Sequence, residues 1–495
     1  MSEPVPDPGR HEDAEWQRLD PRMLLVHPLR ELFRFLPALA GLFVAGAASD
    51  SLDVRWQVLG VLVPVALGLA RYLTTSFRIT GGRVDLRRGL LDRHLLSTRI
   101  DRVRTVDLTS SVVQRLLGLT TVRIGTGTAS TSDEDQIDLD GLPLERARAL
   151  RHDLLTGSSA PGPALAPPRA DHPRVVLVLD PAWARYAPVT STGVVLTAAV
   201  VGVGSQVVEG LGGFEGGVDL EGVLALSGLV LLPLLALGAV AVITVVAVLG
   251  YLVTTWGFTL THGHGSWHLT RGLLTTRETS LDDERIAGVA VGEPLGLRLA
   301  GAARLSAIVT GLDRSQQGSS VLVPPAPRPV VDGVAAEVLG TAAPLTVALL
   351  PHGPAAVRRR WTRALLPAVV LAAVLVLAVA LADVGRWLLV PAALVLVAAA
   401  CLAHDRAEGL GHALTGRHLV ARSGSLLRQR QVLDVDDVIG WTLRATWFQR
   451  RAGLTTLVAT TAGGPQAVAV LDVPDAEAVR LASAGIPTLV RQFLA

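Results

Sequence analysis

Residues 77–127 read FRITGGRVDLRRGLLDRHLLSTRIDRVRTVDLTSSVVQRLLGLTTVRIGTG. Val, Ile, Leu and Thr take alternate positions in short runs with Gly or Asp between them, the pattern of an antiparallel meander of short strands. The layout returns at residues 258–311, FTLTHGHGSWHLTRGLLTTRETSLDDERIAGVAVGEPLGLRLAGAARLSAIVTG, and at 412–461, HALTGRHLVARSGSLLRQRQVLDVDDVIGWTLRATWFQRRAGLTTLVATT. Each copy has a glycine before its Leu-rich turn, at Gly89, Gly272 and Gly424, and a second one 29 residues later, at Gly118, Gly301 and Gly453. Asp101-Arg102-Val103, Glu284-Arg285-Ile286 and Asp436-Asp437-Val438 hold equal offsets between these anchors. Three copies in one register are an internal repeat. The anchor glycines suit turns or bulges that need positive φ or close backbone approach.

Each copy closes on a helical pattern: PLERARALRHDLL from Pro143, VVDGVAAEVL from Val330 and VPDAEAVRLASAG from Val473. In the first, Leu144, Ala147, Leu150 and Leu154 share a face, the stripe a helix needs to plug the open end of a bent sheet.

Half of the 495 residues are apolar and mean hydropathy is +0.45, more than a soluble domain's surface usually allows. Six apolar blocks arrive in pairs ahead of the repeats: Phe33–Ala48 with Gln57–Tyr72, Val189–Val208 with Gly222–Val253, and Ala364–Ala382 with Trp387–Ala403. Most have the roughly 17–25 residues that cross a hydrocarbon core. The loops inside the pairs contain only Arg55 and Arg386, whereas clusters such as Arg358, Arg359, Arg360 and Arg363 lie on the other side. The positive-inside rule then predicts a cytoplasmic-membrane protein with both termini and all three repeats in the cytoplasm.

The segments RLDPRMLLVHPLR (18–30), RITGGRVDLRRGLL (78–91), RIDRVRTVDL (99–108) and QRLLGLTTVRIGTG (114–127) resemble the bacterial pleckstrin-homology, membrane-flanked (YdbT-like) proteins. The resemblance covers almost the whole chain and is weakest in the second copy, where QRLLGL becomes EPLGLRLAG. It implies a pleckstrin-homology (PH)-like fold, a bent antiparallel sheet or barrel with a C-terminal helix. It also implies a membrane-associated, assembly-forming, non-enzymatic role, with a part in envelope stress or antimicrobial-peptide resistance suggested for relatives.

The expected fold class is therefore a multi-pass α-helical membrane protein with three small cytoplasmic α+β domains of this PH-like kind. The expected organisation is a polar tail at 1–30, helix pairs at 31–72, 185–253 and 361–403, PH-like domains at 73–157, 254–342 and 404–495, and linkers at 158–184 and 343–360.

Net charge is +2, which predicts no nucleic-acid partner. Cys401 is the sole cysteine, which excludes internal disulfides and cysteine metal sites. His262, His264 and His268 alternate as a zinc-binding strand would, yet they sit at a turn where the other copies lack histidine. The run Asp133, Glu134, Asp135, Asp138 and Asp140 lacks the central Gly and distal Glu of a calcium loop and reads as a solvated hairpin. No catalytic residue, cofactor or metal site is predicted. Basic side chains of a membrane-tethered domain can meet anionic headgroups, and Arg87, Arg88, Arg93, Arg358, Arg359 and Arg360 are the candidates, with Arg428, Arg430, Arg450 and Arg451 in the third copy. The expected function is a membrane scaffold or adaptor that binds lipid, a membrane-protein partner or a second copy of itself; the alternative is a transporter or channel component with regulatory domains.

Overall fold

The structure is a computed structural model and describes residues 16–26, 28–29, 62, 65–66, 68–70, 72–80, 83–88, 94–99, 105–125, 137–156, 173–190, 228–310, 320–381, 385–461 and 467–486. A two-residue strand β1 (Gln17–Arg18) precedes the first repeat. That repeat comprises β2 (Ser76–Thr80), β3 (Arg83–Arg88), β4 (His94–Arg99), β5 (Thr105–Ser111), α1 (Val112–Leu116), β6 (Leu119–Gly125), β7 (Ile137–Pro143) and α2 (Leu144–Thr156). After β8 (Arg174–Val178) and α3 (Gly228–Thr255) come β9 (Thr259–Gly263), β10 (Ser266–Arg271), β11 (Thr275–Asp282), β12 (Ile286–Pro294), α4 (Leu295–Leu299), β13 (Ala302–Val309), β14 (Val321–Pro327) and α5 (Arg328–Leu339). The apolar helices α6 (Gly353–Leu381) and α7 (Leu389–Glu408) lead into β15 (Gly411–Thr415), β16 (His418–Ser423), β17 (Leu427–Asp434), β18 (Val438–Arg444), α8 (Trp447–Arg451), β19 (Leu454–Thr461), β20 (Val468–Pro474) and α9 (Asp475–Gly485).

Each copy folds as two strand triplets that lie in different sheets, and in the first and third copies the two triplets share a core. In the first, Phe77, Val84 and Leu86 pack with Val106, Leu108, Val122, Ile124, Leu139 and Leu142, and α2 closes the cluster with Ala147 and Leu150. Burying each such large aliphatic side chain contributes about 1.5–3 kcal/mol. The short helix between the triplets is capped reciprocally in two copies: Ser111 with Gln114, and Thr446 with Gln449. In the second copy Pro294 and Leu297 take those two places, there is no side-chain cap, and Leu297 is fully buried. The divergence of EPLGLRLAG from QRLLGL is thus an apolar replacement of a polar cap.

The copies are joined by strand pairing. β5 of the first pairs antiparallel with β11 of the second, Ser111↔Thr275 through Val106↔Ser280. β12 of the second pairs with β17 of the third, Pro294↔Leu427 through Gly288↔Leu433. The sheets that result run β1-β2-β3-β4, β7-β6-β5-β11-β10-β9-β8, β14-β13-β12-β17-β16-β15 and β18-β19-β20. Two compact units follow, Met1–Pro181 with Thr192–Ser280 and Ala182–Ser191 with Leu281–Ala495, so the second repeat is divided near the end of β11.

The expectation of a multi-pass helical membrane protein is corrected. Well over a third of the described residues are strand, in four sheets, and only α6 and α7 among them are long and apolar enough to cross a membrane. The apolar content that suggests six spans is shared with the alternating strands, whose inward positions are also Val, Leu, Ile and Ala. Of the six blocks, Phe33–Ala48 lies outside the described residues, as does 191–208 of the third. In the second, residues 62, 65–66, 68–70 and 72 are helical. The fourth gives α3, whose apolar stretch is Val240–Thr255.

Gly288 shows how tight the second seam is: a Cβ there would stand 2.0 Å from the Val432 carbonyl oxygen. Gly440, at the same offset in the third repeat, has nothing within 4 Å. Gly288→Ala is expected to lower stability by about 1–3 kcal/mol through overpacking, and Gly440→Ala by less than about 0.5 kcal/mol, in denaturant titrations of dilute protein.

Candidate functional site

The sequence ATWFQRRAG builds α8, a one-turn helix at the edge of the third repeat. Thr446 caps it, and the Gln449 side chain turns inward to Thr456 Oγ1 at 3.0 Å and Asp472 Oδ1 at 2.7 Å. The inward glutamine forces the other side chains outward. Trp447 is 56 % and Phe448 70 % exposed, stacked edge to face with centroids 5.0 Å apart. The Arg451 guanidinium lies over the Trp447 ring at 5.1 Å, and Arg450 also ends the helix. Two exposed aromatics and two arginines on one turn combine an apolar wedge with cationic charge.

This turn is tied to the start of α6. Asp472 is buried at positive φ and takes Arg359 Nη1 at 2.7 Å and Arg360 Nη2 at 2.6 Å. Arg359 also reaches Thr446 Oγ1 at 3.5 Å. One carboxylate therefore joins the apolar helix to the turn that carries Trp447 and Phe448. In the last turn of α7, Asp405 pairs with Arg428 of β17 at 2.8 Å and with Arg298 of α4 at 2.7 Å, and Arg422 donates to the Glu408 carbonyl. These arginines sit where the negative end of the helix dipole favours cations.

Along the hairpin, Ala368, Ala372, Ala392 and Ala399 are buried, while Leu366, Val374, Leu377, Leu381, Leu394 and Val397 are exposed. Small residues let two apolar helices approach closely, and the outward face carries large aliphatic groups.

Beside the foot of α6, Leu350 and His412 exchange backbone hydrogen bonds. His352 Nδ1 donates to the Leu471 carbonyl at 2.8 Å, so its Nε2 accepts from His412 Nδ1 at 3.0 Å. Both rings are buried. Burial, then the neighbouring His412, lowers the His352 pKa to about 4, and burial lowers that of His412.

The anchor glycines Gly118, Gly272, Gly301, Gly424 and Gly453 all have positive φ; Gly89 lies outside the described residues. Of the candidate lipid-contact arginines, Arg358 is exposed, Arg359 and Arg360 are engaged with Asp472, and Arg87 is half-buried on β3. Arg88 ends β3, and Arg93 lies outside the described residues. Arg428 and Arg430 face inward to Asp405 and the Val347 carbonyl; Arg450 and Arg451 remain at the aromatic turn. His268 bonds to Ser280 Oγ at 2.8 Å, and His262 stacks on Trp267. No metal-binding group occurs among the described residues. Asp138 pairs with Arg123, and Asp140 accepts from Thr121. Sequence reading missed Trp447 and Phe448. The available signal was that Val112 and Val113 hold those offsets in the first repeat.

A family model described as "Bacterial PH domain" matches residues 31–157 and 362–484, just over half of the chain. No curated protein and no solved structure matches.

Two outcomes follow from the buried groups. Asp472→Asn is expected to cost about 3 kcal/mol or more, because it strips the charge that two half-buried arginines share, as read by denaturant unfolding. Between pH 6.5 and 4 the unfolded chain binds more protons at His352 than the folded one. Stability from the histidine pair is therefore complete above about pH 6.5 and falls as pH drops toward 4, by on the order of 3 kcal/mol. The loss of thermal midpoint between pH 7.5 and 5 is expected to shrink in His352→Gln.

Proposed function

Because the chain belongs to the bacterial PH domain family, we propose that it is a non-enzymatic, membrane-associated binding protein whose third PH-like domain engages an anionic bilayer surface through Trp447, Phe448, Arg450 and Arg451. PH domains are in general binding modules for lipids or proteins. The observation that carries the lipid reading is the covalent and ionic neighbourhood of the aromatic turn. It shares Asp472 with the foot of an apolar helix. A helix foot with arginines marks the depth of lipid headgroups, and there aromatic side chains insert and cations gain about 1 kcal/mol each. Exposed Arg358, one helical turn from the same foot, adds to the cationic side, and the arginine bias of the sequence favours the cytoplasmic leaflet. Adaptor and lipid-binding roles are compatible on this reading: the hairpin and α8 fix the domain at the bilayer, leaving its sheet edges for partners.

The test places an environment-sensitive fluorophore at Phe448→Cys in a Cys401→Ser background, in proteoliposomes. The expected result is a blue-shifted emission that grows with the anionic lipid fraction and is reduced by Arg450→Glu with Arg451→Glu. Emission that stays water-like and fully open to an aqueous quencher at every lipid composition would overturn the lipid reading and favour a protein ligand for the turn.

A further inference from the structure

The two seams between repeats share a single register. Counted from each repeat's own Leu-turn glycine (Gly89, Gly272, Gly424), Thr275 at offset 3 meets Ser111 at offset 22, and Ser280 at 8 meets Val106 at 17. In the second seam Leu427 at 3 meets Pro294 at 22, and Val432 at 8 meets Val289 at 17. The paired offsets always total 25. This is one interface used twice: the third strand of one repeat docks on the fourth strand of the repeat before it.

One copy of each half of that interface is left over. Among the described residues β4 bonds to β3 and β18 bonds to β19, and each ends its sheet. They are the third strand of the first repeat and the fourth strand of the last. Each edge carries an exposed leucine: Leu95 is 62 % and Leu443 53 % exposed. At the offset of Leu443, the seam strands carry Leu108 and Val291, which are buried. Exposed, apolar edge strands invite pairing with another chain.

Gly440 adds an independent observation. In β12 and in β18 alike the register shifts at the glycine of offset 16, Gly288 and Gly440. Gly288 is held by the close passage of Val432 on the docked strand. Gly440 needs no positive φ and has open space around it, so nothing among the described residues requires the absence of a side chain there. The first seam stops one pair short of this offset, at Val106↔Ser280, and there Thr105 stands in the glycine's place.

We propose that β18 of one molecule docks on β4 of a second copy, in the register of the internal seams, so that copies join head to tail. The offset rule pairs Leu443 with Leu95, Thr442 with Leu96, Trp441 with Ser97 and Gly440 with Thr98. The Ser97 carbonyl then passes Gly440 as that of Val432 passes Gly288. The two exposed leucines cover each other. Such a contact is heterologous and builds a closed ring or an open chain of molecules. It is independent of whether the aromatic turn binds lipid.

The test uses full-length protein with Cys401→Ser in two differently tagged forms, one carrying Leu95→Cys and the other Leu443→Cys, mixed in detergent and oxidised. The expected result is a disulfide-linked pair of the two forms at about ten times the yield of the off-register combination Leu95→Cys with Trp441→Cys. Gly440→Ala, which leaves the isolated chain folded, is expected to cut that yield. A second measurement, sedimentation of Leu443→Asp, is expected to show loss of association, restored by mixing with Leu95→Arg. No cross-link above the off-register yield would overturn the proposal. A disulfide that forms only when both cysteines are on one chain would overturn it as well, because the edges would then close within the molecule.

Discussion

A strand at the edge of a sheet must find a partner, a cover or water for its backbone groups, and this requirement organises the whole chain. Within one repeat the third and fourth strands diverge into different sheets. Each triplet therefore ends on an open edge. Here β5 meets β11 and β12 meets β17, which turns four edges into two interior ladders. Backbone pairing fixes direction and register, and Val289, Val291 and Val432 on the second of these ladders are apolar and fully buried. The glycine at Gly288 is the steric mark of the same approach.

Electrostatics serves a different purpose, fastening helices to sheets. Asp472 gathers two adjacent arginines of α6, and Asp405 gathers one from α4 and one from β17. Single buried carboxylates are costly unless so matched, and the guanidinium fork suits a shared carboxylate. Gln449 adds the aromatic turn to one of these nodes. The first repeat keeps the inward glutamine, as Gln114, and passes its hydrogen bond through Thr121 to Asp140. The arrangement is thus a feature of the repeat that the third copy has joined to an apolar helix.

Much of this was legible in the sequence. The alternating strands and the three closing helices could be read from the change between period 2 and period 3.6, because local patterns report local structure. The seams could not, since β5 and β11 pair residues such as Leu108 and Glu278 that lie far apart in the chain, and alternation says only that a strand has a buried face. The number of membrane-length helices was overread, because Val- and Ala-rich composition is common to buried strands and to spans. At the candidate site Arg359 and Arg360 were visible as a basic cluster, but their buried partner was not. Asp472 stands in an ordinary-looking VLDVP stretch, and only the fold brings it to the helix foot. Trp447 and Phe448 stand where the first copy has Val112 and Val113, so fixed offsets, which report what copies share, do not mark them.

The division of the second repeat between two compact units has a consequence for biosynthesis. Its first triplet is completed by a strand already made, β5, whereas β12 must wait for β17, which lies some 140 residues downstream beyond both apolar helices. Contacts of such separation form slowly. During elongation at about 5–20 residues per second, β12 spends several seconds or more as a bare ladder edge. The nascent chain at that stage is a half-repeat awaiting its complement, and the time window in which it could mispair is set by the length of all the chain that separates the two strands, the hairpin included.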